Sequence, residues 1–238
     1  MLRESFPEGL RQGKGENAMT ERGHRGIYEL LTGRIAPYAS EGETLRFERI
    51  VRAPVDDETV GLVAQALVDA DADTRRAGLF IFAGLQDETA ERLEPFRPLA
   101  DKVRELLLDA EPAVRCDALM AFAYFDPDDL HAAVREFLTD PNGRNRLQAV
   151  RILDVERSPK NLPTLLTLGV DPYHEGREED AREWLVVREA ARSAVERTAD
   201  LRFPAALEEE DVEGIRCVYH AWDAVWQWAA REGIRGRG

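Results

Sequence analysis

The order of apolar and polar positions repeats along the middle of this chain. Residues 63–85 and 103–125 align without a gap at a constant offset of 40, and the same residue types fall in the same slots. In the second of these copies, an apolar run at helical spacing ends at Asp109, and another helical run begins near Arg115. This pattern predicts a pair of helices joined by a short polar turn.

Two further copies follow. The third begins 31 residues later and carries Asp140 and Arg146 in the equivalent slots. The fourth is split, because about a dozen extra residues, "PYHEGREEDARE", separate Asp171 from the second helical run around Arg188. One helix pair cannot bury its apolar faces alone, so we expect the copies to stack. The sequence therefore predicts an all-α fold, an α-solenoid of about four to five stacked helical hairpins.

The repeated pattern, Asp-x5-Arg-x2-Ala in a two-helix unit of 30–40 residues, resembles the HEAT-repeat family in the short form of prokaryotic PBS-lyase-like proteins. The resemblance covers about residues 57–200. It implies an armadillo-type superhelix with the second helices on the concave side, and no single activity. It also implies a ladder in which the turn aspartates bind helix-end amides and the arginines of neighbouring copies: Asp69, Asp109, Asp140 and Asp171 with Arg75, Arg115, Arg146 and Arg188.

Composition shifts divide the chain into four predicted segments. The polar, Gly-rich residues 1–22 are predicted to be a disordered leader, and residues 23–54 an atypical pair of N-terminal capping helices. Residues 55–202 hold the HEAT-like repeats. Residues 203–238 are predicted as a C-terminal capping helix with a basic tail, and the run "EEEDVEGIRCVYHAWDAVWQWAAREG" within them as one long helix.

Charge narrows the class of partner. The formal net charge is −14, and residues 51–230 alone contain 37 acidic and 21 basic side chains, a net charge of −16. A body this acidic repels phosphate backbones and attracts basic proteins, so we expect a basic protein or peptide partner and no nucleic acid. Two cysteines without a paired motif, and no apolar stretch of membrane length, predict a cytoplasmic protein without membrane association. The oligomeric state is left open.

No pattern of catalytic, metal-ligating or cofactor-binding residues stands out. The four histidines have no zinc-binding spacing, and no nucleophile or dinucleotide-binding motif occurs. We therefore expect no catalytic residue, no metal and no cofactor. The insertion around Tyr173 and His174 is interpreted as a solvated acidic loop, with recognition of a partner as the alternative.

The predicted contact surface lies on the outward side of the second helices. Phe80, Met120, Tyr124 and Leu147 occupy slots where a solvated helix carries polar residues, so they form either an apolar binding ribbon or a covered packing surface. Arg151 falls on the same side. Trp228 belongs to the other stripe of the C-terminal segment, as an exposed aromatic anchor. The predicted partner-binding residues are Phe80, Met120, Tyr124, Arg151 and Trp228.

The leading functional hypothesis is a non-enzymatic interaction scaffold that binds a basic protein or peptide along the concave face. One version of it is an inhibitor or immunity protein for a basic toxin. The resemblance also implies a bilin lyase-like protein as an alternative. A weaker alternative is a HEAT-like DNA glycosylase, which needs a basic concave groove and is supported only by Arg144, Arg146 and Arg151.

Overall fold

The computed structural model describes residues 55–84, 93–125, 127–177 and 180–235, together with a few positions between 26 and 50. The predicted leader over residues 1–22 and most of the predicted capping helices over residues 23–54 lie outside the described residues. The chain separates into two units, Met1–Phe125 and Asp126–Gly238.

The first unit contains two of the predicted helix pairs. They are α1 (Asp57–Ala66) with α2 (Ala72–Gly84), and α3 (Ala100–Leu106) with α4 (Pro112–Phe125); a 3-10 helix, Glu94–Leu99, precedes α3. The second helices α2 and α4 pack on each other. Phe82 of α2 is fully buried and meets Phe96 and Phe125 edge to face, at ring-centroid distances of 5.5 and 4.9 Å. These aromatic rings form the centre of this core.

Short polar side chains begin the helices. Asp56 caps α1 by accepting the main-chain N–H of Thr59 at 2.9 Å, and Asp71 accepts that of Thr74 at 2.8 Å in the first turn of α2. Such caps satisfy main-chain donors that have no partner inside the helix.

The second unit begins with two more helix pairs. They are α5 (Pro127–Phe137) with α6 (Gly143–Glu156), and α7 (Leu162–Thr167) with α8 (Val186–Ala199). The 3-10 helices Pro159–Asn161 and Leu168–Val170 flank α7. Asn142 caps α6 by accepting the N–H groups of Arg144 and Asn145. The second helices α6 and α8 pack on each other, as the second helices of the first unit do.

The turn aspartates make the contacts that the resemblance implies. Each one accepts the main-chain N–H two residues later, at 2.7 to 2.9 Å. In the first three copies, the arginine six residues later donates from Nη1 to the main-chain oxygen of that aspartate at 2.8 to 2.9 Å. Each turn is therefore closed from both sides by residues of its own copy.

The arginines also join one copy to the next inside each unit. Arg75 donates from Nε and Nη2 to both carboxylate oxygens of Asp109, at 2.8 and 2.9 Å. Arg146 does the same to Asp171, at 2.6 and 2.9 Å. Burial alone would raise the pKa of Asp109, but hydrogen bonds from Arg75 and the N–H of Glu111 outweigh it and lower the pKa. We call the arginine–aspartate contacts between neighbouring copies the ladder.

The second unit also contains a mixed four-stranded sheet, which the sequence pattern did not indicate. Its strands are β1 (Glu175–Arg177), β2 (Asp180–Trp184), β3 (Leu207–Val212) and β4 (Ile215–His220), in the order β1-β2-β4-β3. The pairs β1·β2 and β3·β4 are antiparallel, and β2 runs parallel to β4. The predicted all-α class is therefore wrong for this unit, although a mostly helical chain of repeats fits an α-solenoid.

The predicted single C-terminal helix is wrong as well, because its first half is the β3·β4 hairpin. Glu213 and Gly214 adopt left-handed conformations, with φ of 54° and 85°, and Gly214 donates its N–H to Asp211 Oδ1 at 2.9 Å. Two consecutive residues of this kind form the tight turn that suits a two-residue hairpin. Only the second half of the segment is helical, as α9 (Asp223–Arg231).

Helix α9 packs through Val225 and Ala229, and its N-cap residue Trp222 is buried with them. Trp222 comes so close to the backbone that a Cβ at Gly169 would lie 2.6 Å from its ring, so only glycine fits there.

No helix in the described ranges is long and apolar enough to cross a membrane.

Candidate functional site

In the first unit, α2 and α4 bring Phe80 and Met120 to equivalent positions of two packed second helices, and both side chains are half-buried. An ion pair joins the helices beside them, because Arg76 Nε donates to Asp117 Oδ2 at 2.7 Å. The guanidinium of Arg76 also lies 5.6 Å from the ring centroid of Phe80. Part of the predicted ribbon is thus accessible and lies next to a charged pair.

Burial dominates the electrostatics of this pair. It raises the pKa of the Asp117 carboxyl above its ordinary value, although the hydrogen bond and charge of Arg76 oppose the shift. Tyr124, the next predicted contact residue, belongs to α4, but its side chain lies outside the described residues. Its role stays a prediction.

In the second unit, α6 and α8 form the walls of an open groove of about 500 Å³. Its floor is apolar, and its rim carries charged and polar side chains. The floor comprises Leu147, Val150, Val186 and Ala190. The rim comprises Arg151, Asp154, Glu175, Glu189, Ser193 and Arg197.

The structure corrects one member of the predicted ribbon. Leu147 was expected to point outward, but it is 8% exposed and belongs to the floor of the groove. The close packing of α6 on α8 covers it, which is the alternative that the sequence analysis left open. Arg151, one helical turn further along α6, is exposed at the rim of the groove, and its role in binding stays a prediction.

Most rim charges are held in place by hydrogen bonds. Asp154 accepts two from Arg197, at 2.6 and 2.5 Å. Glu189 accepts the main-chain N–H of His220 at 2.7 Å and contacts its ring Nδ1 at 2.6 Å. These contacts tie α8 to α6 on one side and to the end of β4 on the other.

Glu175 enters the rim from β1 rather than from a helix. Its carboxylate accepts hydrogen bonds from the Tyr173 hydroxyl and from Arg144 Nε, the latter at 2.9 Å. The hydrogen bond from Tyr173, with that from Arg144, lowers the pKa of Glu175 despite partial burial. The Tyr173 ring lies against Gly143, where a Cβ would come within 1.9 Å of it. This part of the insertion is therefore fixed to α6 rather than forming a solvated loop.

Trp228 lies away from the groove. It is half-buried on α9 and meets Phe203 edge to face at 5.8 Å. Of the predicted partner-binding residues with described side chains, only Arg151 lines the groove, while Phe80 and Met120 belong to the first unit.

Sequence reasoning missed Glu189 and Ser193. A signal existed for both, because aligning Arg188 with Arg146 places Glu189 on Leu147 and Ser193 on Arg151. Glu175 belongs to the insertion for which recognition of a partner was the alternative, but the sequence did not indicate the strand β1 that brings it to the groove.

The arrangement offers donors and acceptors around an apolar floor, which suits the binding of a chain segment. Within the part of the chain that the structure describes, no group of three or more His, Cys, Asp or Glu residues is placed to hold a metal ion.

Comparison with known proteins gives one finding that agrees with this geometry. The family model for HEAT repeats matches residues 99–186, which run from the last residue of the 3-10 helix before α3 to the first residue of α8. No curated protein matches the chain. The resemblance predicted from the turn aspartates and arginines is thereby confirmed over this stretch, which is similar to known HEAT repeats.

Proposed function

We propose that this chain is a non-enzymatic scaffold of stacked repeats whose second-helix faces bind a protein or peptide partner. HEAT repeats indicate a general role in protein interaction. The observation that supports a specific surface is the groove between α6 and α8, where an apolar floor is bordered by fixed charges. Its volume of about 500 Å³ accommodates several side chains of an extended segment.

Arg151 is the rim residue best suited to contact the partner. Asp154, Glu175 and Glu189 already accept hydrogen bonds from neighbouring side chains or main chain. Among the described residues, none accepts a hydrogen bond from Arg151, which is exposed and attracted by the charge of Glu175. A guanidinium in this position donates readily to main-chain carbonyl groups or a carboxylate of a bound segment.

The partner as a whole is expected to be basic. Residues 51–230 carry a net charge of −16, and such a field accelerates the approach of positively charged proteins. In the first unit, Phe80 and Met120 supply apolar contacts of the kind that anchor interfaces, beside the Arg76–Asp117 pair. Tyr124 and Trp228 complete the proposed set of partner-binding residues.

The test compares capture of partners by tagged wild-type and variant chains, with identification by mass spectrometry. We expect Arg151→Glu to reduce capture of a specific partner by about tenfold, because it places a like charge beside Glu175 and removes the donors. A Phe80→Ala, Met120→Ala variant should weaken capture by a similar factor. Circular dichroism and melting curves establish that each variant is folded.

The matched control is Arg97→Glu, which makes the same change of charge at an exposed arginine of the 3-10 helix before α3. It should leave capture unchanged. If Arg151→Glu and the Phe80, Met120 variant retain every partner that the wild type captures, the second-helix faces are not the binding surface.

A further inference from the structure

The outer strand β3 has an open edge. It pairs with β4 on one side. The hydrogen bond from Ala221 N to Ala206 O, 2.8 Å long, shows which opposed residues of the two strands are hydrogen-bonded to each other. Because hydrogen-bonded and non-hydrogen-bonded pairs alternate in an antiparallel ladder, the main-chain N–H and C=O groups of Leu207, Glu209 and Asp211 point away from β4. Within the described residues, these groups have no main-chain partner, and residues 207–211 are exposed.

The opposite edge of the sheet is less suited to pairing. There β1 is only three residues long, and its register with β2 shifts between Gly176 and Arg177. Short and irregular edges resist the addition of another strand. The six-residue β3 is regular along its whole pairing with β4, so it is the edge at which a further strand fits.

The side chains of β3 are strongly acidic. Glu208, Glu209, Glu210 and Asp211 are consecutive, and Glu213 follows in the turn. On the face towards α8, Glu210 accepts a hydrogen bond from Arg188 Nη1 at 2.6 Å, and that guanidinium lies 4.7 Å above the Tyr219 ring. This face is therefore already occupied by a cation of the chain itself.

On the other face of β3, the carboxylates of Glu209 and Asp211 remain available to a partner. Glu209 pairs with Arg216, whose side chain is 80% exposed, and such a pair contributes little because water screens it. Among the described residues, Asp211 accepts a side-chain hydrogen bond only from the N–H of Gly214 in the turn. A cation from another molecule can therefore interact with both carboxylates at the place where the main-chain groups of β3 are open.

The same charges argue against a second copy of this chain as the occupant. Antiparallel pairing of two β3 strands would set acidic side chains against acidic side chains, and like charges at opposed positions destabilise a strand pair. Charged edges of this kind prevent self-association. Addition of a strand that carries lysine or arginine is favoured instead, because its charges complement those of Glu209 and Asp211.

We propose that β3 binds an extended basic segment of another protein by strand addition, which enlarges the sheet by one strand. The main-chain groups of Leu207, Glu209 and Asp211 supply the hydrogen bonds, and the carboxylates of Glu209 and Asp211 select lysine or arginine on that face. This site is separate from the groove between α6 and α8 and does not depend on it.

The test uses the full chain and a fluorescent peptide of about nine residues in which lysine alternates with valine. We expect saturable binding in fluorescence anisotropy that weakens as salt is added, because the contact is partly electrostatic. Hydrogen exchange should slow at the amides of Leu207, Glu209 and Asp211. A matched peptide with glutamate in place of lysine should not bind.

Two variants decide whether the edge carries the binding. Glu209→Pro removes an outward N–H without removing a bond to β4 and should weaken binding by about tenfold. Glu209→Lys with Asp211→Lys keeps the main chain intact but reverses the charge, and should weaken it at least as much, even if the proline variant does not fold. Glu136→Lys, an exposed change on α5, should have no effect.

Several results would overturn the proposal. They are the absence of binding, unchanged binding by both β3 variants, protection of amides elsewhere, or dimerisation of the chain through β3. Arg151→Glu should leave binding of this peptide unchanged, so the outcome here is independent of the outcome for the groove.

Discussion

The first ladder arginine of the first unit and the last ladder arginine of the second unit reach different carboxylates. In the first unit, Arg75 donates to the turn of its own copy and to the carboxylate of Asp109 in the next. In the second unit, Arg188 still donates to the main-chain oxygen of Asp171, but its Nη1 reaches Glu210 of β3 instead of a further turn. A strand of the sheet therefore supplies the carboxylate that another repeat supplies elsewhere.

The hydrogen bond from the ladder arginine to the turn aspartate is therefore kept even where the two residues lie far apart in the sequence. Arg188 lies 17 residues after Asp171, whereas the other ladder arginines lie six residues after theirs. A long insertion is tolerated because the entropic cost of closing a loop grows slowly with its length. The insertion is also structured, since it contributes β1 and β2 to the sheet.

The largest expected effect is the loss of a ladder arginine in the second unit. Arg146→Ala leaves the Asp171 carboxylate, 5% exposed, without its two charged hydrogen bonds. We expect the free energy of unfolding in guanidinium to fall by about 3–5 kcal/mol, because a buried charge loses its partner. Arg97→Ala, which breaks an exposed pair, should change it by less than about 0.5 kcal/mol. Equal effects of the two variants would show that the ladder does not stabilise the fold.

An intermediate effect is expected where the insertion meets α6. The positions equivalent to Gly143 in the first unit are Ala72 and Pro112, and the copies that follow them carry no insertion. Gly143→Ala places a Cβ against Tyr173 and should lower the free energy of unfolding by about 1–3 kcal/mol, because the ring must move.

The matched control for this effect is Gly143→Ala combined with Tyr173→Ala, in which the clash is absent. Urea unfolding should show that the second substitution restores part of the stability that the first removes. If Tyr173→Ala adds its own loss without any recovery, the ring and the glycine are not coupled.

The smallest effect is expected from Asp109→Asn in the first unit, and it depends on pH. The pKa of Asp109 is lowered in the folded state, so its charge stabilises the fold above the unfolded pKa of about 3.9, and this stability is lost as pH falls through the folded pKa. Wild type and variant should differ by about 1–2 kcal/mol at neutral pH and converge in acid, once the pH is below the lowered pKa of Asp109. A difference that persists in acid would assign the effect to packing instead of charge.

The ladder was predictable from the sequence because each contact is made by a residue type at a fixed slot of the repeat. Aspartate at the turn and arginine in the second helix define the pattern, and the structure joins Arg75 to Asp109 and Arg146 to Asp171 in this way. The exposure of Arg151 was predictable for the same reason, because this residue occupies an outward slot of a second helix.

The sheet was not predictable by the same reasoning. Ile215, Val218 and Tyr219 fit one stripe of a helix, and they also suit a strand, so periodicity did not distinguish the two. The deciding feature is the left-handed turn at Glu213 and Gly214, which the single glycine indicates only weakly. The pairing of β2 with β4 joins segments about thirty residues apart, and no local pattern reveals such a partner.

The burial of Cys217 in β4 makes the chemistry of the two thiols unequal. Cys217 has no exposed surface, and burial raises the pKa of its thiol, so little reactive thiolate is present at neutral pH. Alkylation at this position requires the strands to separate first, and its rate therefore measures how often the sheet opens. Cys116 on α4 is half-buried and lies in the other unit. The native chain thus carries one chemical reporter in each unit, without any substitution.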